Sequence, residues 1–373
     1  MKITKVEAIV VRQGKIELIG DGTQDTLIIL VHTDSGITGI GEVDSAPFVS
    51  KACVDMPASH SAAMGLAEII TGMDPFDNEV IWDEMFSKAY YYARGGAGFH
   101  AISGIDMAIW DIKGKALGMP VYKLLGGAYQ KEIPAYVSIL MPDNEDDIKR
   151  LADYHMQKGY KAIKFGWGAL GQSFDKDIKL IRAARKAIGD EAVLMIDIGM
   201  AWKDIKTAIK TCKAFEEYNV FWVEEPFECE RTEDFQLLRQ NVGLNIAGGE
   251  ELSTLREFKR YADMMCVDIL QPDISRCGGI TMAKKIYDIA RLTGINVIPH
   301  NFKSGILMAA TLQFIASVRD ALFVEYCGQE TVLSRMLVKN KYELNENGKV
   351  LIPDMPGLGV ELDMEVLQRY RVV

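Results

Sequence analysis

Through the latter part of the chain, short apolar runs end one after another in a titratable side chain: Val193-Leu194-Met195-Ile196-Asp197, Phe221-Trp222-Val223-Glu224, Ile246-Ala247-Gly248-Gly249-Glu250, Ile269-Leu270-Gln271-Pro272-Asp273, Val297-Ile298-Pro299-His300 and Phe323-Val324-Glu325. Runs of this kind read as strands buried on both faces, and Pro226 stops the ladder just past Glu224 and Glu225. The titratable residues therefore sit at strand C-terminal ends. The intervals between the six are 27, 26, 23, 27 and 25 residues. That is about one strand, one helix and two loops of a (β/α)8-type barrel, whose active site lies at that end of its strands. Two earlier strands fit Ile133-Pro134-Ala135-Tyr136-Val137-Ser138 and Ala162-Ile163-Lys164-Phe165. Apolar stripes at Ile178, Ile181, Ala184 and Ile188, and at Ile205, Ile209, Cys212 and Phe215, mark helices. Further helices fit 232–241, 253–261, 280–293 and 305–317, an alternation that predicts a parallel sheet.

The first part of the chain follows a different rhythm. Residues 2–12 alternate apolar and polar, and 27–31 and 37–43 flank the turn Asp34-Ser35-Gly36, which reads as a small antiparallel meander. Helical patterns follow at 58–71, 76–88 and 99–117. Segments 14–26 and 44–57 read as loops long enough to act as lids. From Arg335 onward the strand and helix alternation stops. The chain of 373 residues exceeds the roughly 250 typical of one barrel, so it divides into an α+β capping domain (1–126), a TIM-like barrel (127–335) and a C-terminal tail (336–373) expected to pack back on the cap.

Composition narrows the setting. With 49% hydrophobic and 25% charged residues, the chain is that of an ordinary globular protein. No apolar run approaches the roughly 18 residues of a membrane span, and residues 1–7 open directly into strand pattern, so a cytoplasmic location is expected. The six cysteines form no CxxC pair and read as reduced thiols. A formal net charge of −10 argues against nucleic acid or an anionic membrane as partner, but not against a small anionic substrate, since a bound divalent cation reverses the local field.

The chemistry lies in the strand-end set. Asp197, Glu224 and Glu250 on three successive strands bring three carboxylates together, a repulsion that a shared cation or shared protons must relieve. Oxygen-only ligands favour a hard ion such as Mg²⁺ with open positions for substrate oxygens. Asp273 and His300 end the next two strands, where a carboxylate behind an imidazole fixes its tautomer and raises its basicity. Glu325 ends the last run, and a protonated carboxyl donating to a substrate oxygen is one option for it.

With Lys164, Asp197, Trp222-Val223-Glu224-Glu225-Pro226, Gly248-Gly249-Glu250, Gln271-Pro272-Asp273, Gly278-Gly279, Pro299-His300, Val324-Glu325 and the tail's Pro356-Gly357-Leu358-Gly359, the chain resembles the enolase superfamily and, within it, the mandelate racemase-like group. The resemblance spans essentially the whole chain. It implies that Asp197, Glu224 and Glu250 bind Mg²⁺, that the metal grips a substrate carboxylate, that His300 backed by Asp273 is a base, and that Glu325 bonds to the enolate oxygen. It also implies a homo-oligomer, an octamer or a dimer. Racemases of the group carry Lys-x-Lys on the second strand, whereas this chain reads Lys164-Phe165-Gly166. The facing base is missing. One histidine acting as base and then as acid suffices to remove a proton and expel a β-hydroxyl, so the resemblance points to an acid-sugar dehydratase giving a 2-keto-3-deoxy acid. The alternatives are a racemase, epimerase or cycloisomerase using Lys164 as a base, or a barrel that serves only as a binding scaffold. Arg94, beside Tyr90, Tyr91 and Tyr92, together with Ser138, Asn301 and Lys303, are candidates to touch substrate.

Overall fold

The computed structural model of the chain describes residues 1–372. The alternating N-terminal segments form an antiparallel sheet of β1 (Ile3–Arg12), β2 (Asp25–Thr33) and β3 (Thr38–Val43) in that order. Four helices follow, α1 (Pro47–Asp55), α2 (Leu66–Ile70), α3 (Asn78–Lys88) and α4 (Gly96–Leu117), and the short α5 (Val121–Leu124) completes the cap. Gly118 ends α4 in the left-handed region with φ 65°, as a glycine after a helix commonly does. The sequence reading missed α1, taking 44–57 for a loop. Pro47 opens that helix, and Pro47, Ser50 and Val54 are its buried positions, a stripe too thin to stand out in sequence. It also overextended α2, since only Leu66–Ile70 is helical and 58–65 is irregular chain.

The barrel alternates β4 (Glu132–Leu140), α6 (Glu145–Gln157), β5 (Ala162–Gly166), α7 (Phe174–Ile188), β6 (Val193–Asp197), α8 (Ile205–Glu216), β7 (Val220–Glu224), α9 (Thr232–Asn241), β8 (Asn245–Gly248), α10 (Leu255–Asp263), β9 (Ile269–Leu270), α11 (Gly279–Thr293), β10 (Asn296–Val297), α12 (Gly305–Ala316) and β11 (Val324–Cys327). These eight strands are parallel, in the order β10-β9-β8-β7-β6-β5-β4-β11. Seven helices connect them. Among the described residues no ladder joins β10 to β11, so the sheet curls into a barrel with a seam. After β11 come α13 (Val332–Met336), β12 (Lys349–Leu351) and α14 (Met364–Tyr370). The tail touches both units. β12 pairs antiparallel with Glu132, Ile133 and Pro134 of β4, because β4 extends before its parallel pairing begins, whereas Gly357 bonds to Val121 and Val372 to Val10 of the cap.

The cap is fastened to the barrel through polar groups. Asp106 of α4 accepts bonds from the Thr281 backbone N at 3.0 Å and from Thr281 Oγ1 at 2.5 Å. Trp82 Nε1 donates to Gly278 O at 2.9 Å, and Ser103 Oγ accepts from Gly278 N at 2.9 Å. Gly279 has φ +78°, and a Cβ there would lie 2.2 Å from the Asp106 carboxylate, so the glycine permits this approach. Glu42 accepts from Ser304 Oγ and Leu307 N at the start of α12.

Burial raises the Asp106 carboxyl to about 7, with the Thr281 bonds only partly offsetting it. The folded state therefore keeps a proton that the unfolded chain releases near pH 4, and stability falls as pH rises from about 4 to 7, by on the order of 4 kcal/mol. Asp106→Asn mimics the protonated acid, with its carbonyl taking Thr281 N–H and its amide facing Thr281 Oγ1. We expect this variant to gain thermal stability over the parent at pH 8 and to lose that advantage at pH 5. An equal difference at both pH values would refute the assignment.

Candidate functional site

Six strand ends converge on one cavity of about 350 Å³. Barrel residues Ser138, Lys164, Asp197, Glu250, His300 and Glu325 line it, and Ile19 to Gly22 of the segment 14–26 cover it from the cap. Lys164 and Gly166 lie on β5, Asp197 and Glu224 close β6 and β7, and Glu250, Asp273 and His300 stand two or three residues past β8, β9 and β10. Glu325 departs from the expected register. It is the second residue of β11, not its last, paired with Tyr136 of β4.

Asp273 is fully buried. One of its oxygens accepts from Ser275 N at 2.6 Å and Ser275 Oγ at 2.5 Å, and the other lies 2.6 Å from His300 Nδ1. This fixes the proton on Nδ1 and leaves Nε2 to work in the cavity. Nε2 stands 3.2 Å from Glu250 Oε2. Burial lowers the imidazole, but Glu250, Glu325 and the Asp273 bond more than offset it and bring it up to about 10.

Across the cavity Lys164, only 1% exposed, sends its ammonium to Glu224 Oε1 and lies 2.8 Å from Glu325 Oε1 and 3.9 Å from Asp197 Oδ2. Burial works against its charge, yet Glu224 and Glu325 hold its pKa well above the usual lysine range. It is an ammonium with no lone pair to offer as a base. Burial also pushes Glu325 up, but Lys164 and His300 reverse this and hold it near 2, so its carboxyl is ionised and accepts from Asn301 N at 2.8 Å. Of the options open to Glu325, an ionised acceptor fits these contacts better than a protonated donor. Gly166 faces Asp197 so closely that a Cβ there would lie 2.7 Å from Asp197 Cβ, leaving no room for a second lysine.

Residues 5–126 match the family "Mandelate racemase / muconate lactonizing enzyme, N-terminal domain", and residues 147–366 match "Enolase C-terminal domain-like". The chain belongs to the mandelate racemase and muconate lactonizing enzyme group of the enolase superfamily. It is 31% identical over 362 residues to the D-galactarolactone cycloisomerase of Agrobacterium fabrum, covering 93% of this chain and 91% of that protein. It is 30% identical over 296 residues to the arabinonate dehydratase of Saccharolobus solfataricus, covering 79% and 78%. The crystal structure of the 3,6-anhydro-D-galactonate cycloisomerase from Zobellia galactanivorans superposes over 100% of both chains with a TM-score of 0.90 at 34% identity.

Not every candidate of this enolase-superfamily enzyme reaches the cavity. Arg94 is exposed and stacks 5.6 Å from the Tyr90 ring. Asn301 supports Glu325, giving its side-chain amide to Glu325 O at 2.9 Å. Lys303 bonds to Gly22 O and lies 2.9 Å from Asp44 Oδ1, tying the cap segment to the barrel. The sequence reading missed Asp44, Trp167 and Arg276, which also line the cavity. Arg276 bridges Asp44 Oδ2 at 2.6 Å and Glu250 Oε1 at 3.4 Å. The RCGG run after Asp273 was visible, but its partner Asp44 lies 232 residues away.

Two acidic groups come into question for a cation. Ligand atoms of Asp44, Asp273 and His300 lie within 4.8 Å of one another, a spacing compatible with a divalent ion. Their lone pairs, however, already serve Arg276, Lys303, Ser275 and the imidazole itself. Asp197, Glu224 and Glu250 are buried carboxylates; Lys164 lies beside the first two and Arg276 and His300 beside the third, and burial with the neighbouring carboxylates pushes Asp197 well above its ordinary range. That surplus negative charge fits a hard cation. No helix among the described residues is long and apolar enough to cross a membrane.

Proposed function

We propose that this enzyme removes the proton α to the carboxylate of an acid sugar and expels the oxygen on the β-carbon, leaving a 2-keto-3-deoxy acid. The observation that carries this reading is the asymmetry of the cavity, with an Asp273-oriented imidazole on one side and, facing it, an ammonium locked among carboxylates beside a glycine. A single base suits elimination, because the proton taken from carbon is returned to the departing oxygen. Racemisation needs a second base.

Asp197, Glu224 and Glu250 would hold a divalent cation, Mg²⁺ by its hardness. When bound, it supplies positive charge beside the substrate carboxylate and so makes the α-proton more acidic. With the charge of Glu250 offset by such a cation, His300 would release the proton that Glu250 and Glu325 hold on it, and its Nε2 takes the α-proton while Asp273 holds the ring. Lys164 donates to a carboxylate oxygen, and Ile19 to Gly22 exclude water from above.

With a hydroxyl as the leaving group the product is that of a dehydratase, the reading we favour for this chain. The cycloisomerase relatives support a variant of the same chemistry. In a 3,6-anhydro acid the ring oxygen on carbon 3 is also β to the carboxylate, and its expulsion opens the ring. Mg²⁺-loaded protein incubated with open-chain aldonates and aldarates, and separately with lactones and anhydro acids, should give a semicarbazide-reactive 2-keto acid in one panel. Formation of epimers without keto acid in either panel would overturn the proposal.

A further inference from the structure

The last barrel strand is followed by no long helix, and where an eighth helix would cover its outer face, α13 and residues 337–344 leave a groove. Two adjoining cavities of about 360 and 680 Å³ share Lys158, Tyr326, Glu330, Arg335, Tyr342 and Glu343, within the size range of small-molecule sites. Tyr326 points outward from β11, next to the inward-facing Glu325, so the groove lies behind the catalytic cavity and outside the barrel. His155 of α6 lines its floor at 3% exposure. Neither His155 Nδ1 nor the buried Tyr342 hydroxyl has a hydrogen-bond partner, although buried polar atoms are nearly always paired. Arg335 gives one bond to Cys327 O at 2.6 Å and stacks 5.0 Å from the Tyr326 ring, and among the described residues it makes no ion pair. Glu330 is neutralised by Lys158 at 2.5 Å.

We propose that this groove is a second binding site, separate from the catalytic cavity, for a small polyhydroxylated molecule that carries a carboxylate or a phosphate. The Arg335 N–H groups not given to Cys327 O donate to the oxyanion. Tyr342 and His155 satisfy hydroxyl groups, and the Tyr160 and Tyr326 rings, 5.7 Å apart edge to face, offer an apolar wall to the carbon skeleton. Burial, and next to it Lys158, keeps the His155 imidazole neutral by lowering it to about 4. It therefore acts as a hydrogen-bonding group and adds no charge.

The test uses the whole chain of 373 residues with labelled histidine, whose five rings give few NMR signals, His155 being identified by His155→Asn. D-gluconate, D-glucose 6-phosphate and D-glucose are titrated in turn. Saturable movement of the His155 signal with gluconate assigns the site to carboxylates, and movement with the sugar phosphate assigns it to phosphate esters. In either case Arg335→Gln should weaken binding by about tenfold or more, the loss expected of a charge-assisted contact, while Arg335→Lys, which keeps the charge, should retain most of it. A His155 signal that ignores both anions at millimolar concentration, that responds equally to neutral glucose, or that titrates unchanged in Arg335→Gln would overturn the proposal.

Discussion

His300→Asn should lower turnover by roughly 10²–10⁴-fold, the range of a general base, and should also stop exchange of the substrate α-proton with D₂O. The second half of this expectation is the sharper one. In an enzyme with two bases the surviving base still exchanges the proton of one stereoisomer. Among the described residues the other basic side chains lining the cavity are Arg276, a guanidinium that keeps its proton, and Lys164, whose ammonium is held among Glu224, Glu325 and Asp197. Asp273→Asn should keep the fold and still reduce turnover by orders of magnitude, because the amide presents the imidazole with the wrong tautomer, as in the serine-protease triad. Following the α-proton by NMR decides the matter. Persistent exchange in His300→Asn that disappears only when Lys164 is also replaced would make Lys164 a working base and restore the racemase or cycloisomerase alternative.

Removing divalent metal should abolish turnover, and added Mg²⁺ should restore it. The variants locate the ion. Asp197→Ala, Glu224→Ala or Glu250→Ala should each weaken metal binding by more than the 10–100-fold that loss of an outer-shell partner typically brings. Asp44→Asn should weaken it by less, since Asp44 reaches Glu250 only through Arg276. Calorimetric titration with Mg²⁺ measures both. Full activity in excess chelator would remove the metal from the mechanism. Metal binding lost in Asp44→Asn but kept in Asp197→Ala would move the ion to the group formed by Asp44, Asp273 and His300.

The sequence by itself determined the barrel and the order of its chemistry. Each strand and helix unit consumes a near-constant length of chain, so the near-even spacing from Asp197 to Glu325 placed the carboxylates and the histidine on neighbouring strands. It also put Gly166, which has no side chain, two residues after Lys164. Tertiary structure decided what those groups are at neutral pH. Lys164 is an ammonium and Glu325 a carboxylate because each is buried against the other, and desolvation and proximity leave no trace in local sequence. It decided, too, that Arg94 stays outside, that Arg276 is held by Asp44 across 232 residues and that Lys303 reaches Gly22 across 281. Those contacts follow from how the cap docks on the barrel, through close approaches such as Gly279 against Asp106, and no periodicity along the chain encodes the meeting of two separately folded surfaces.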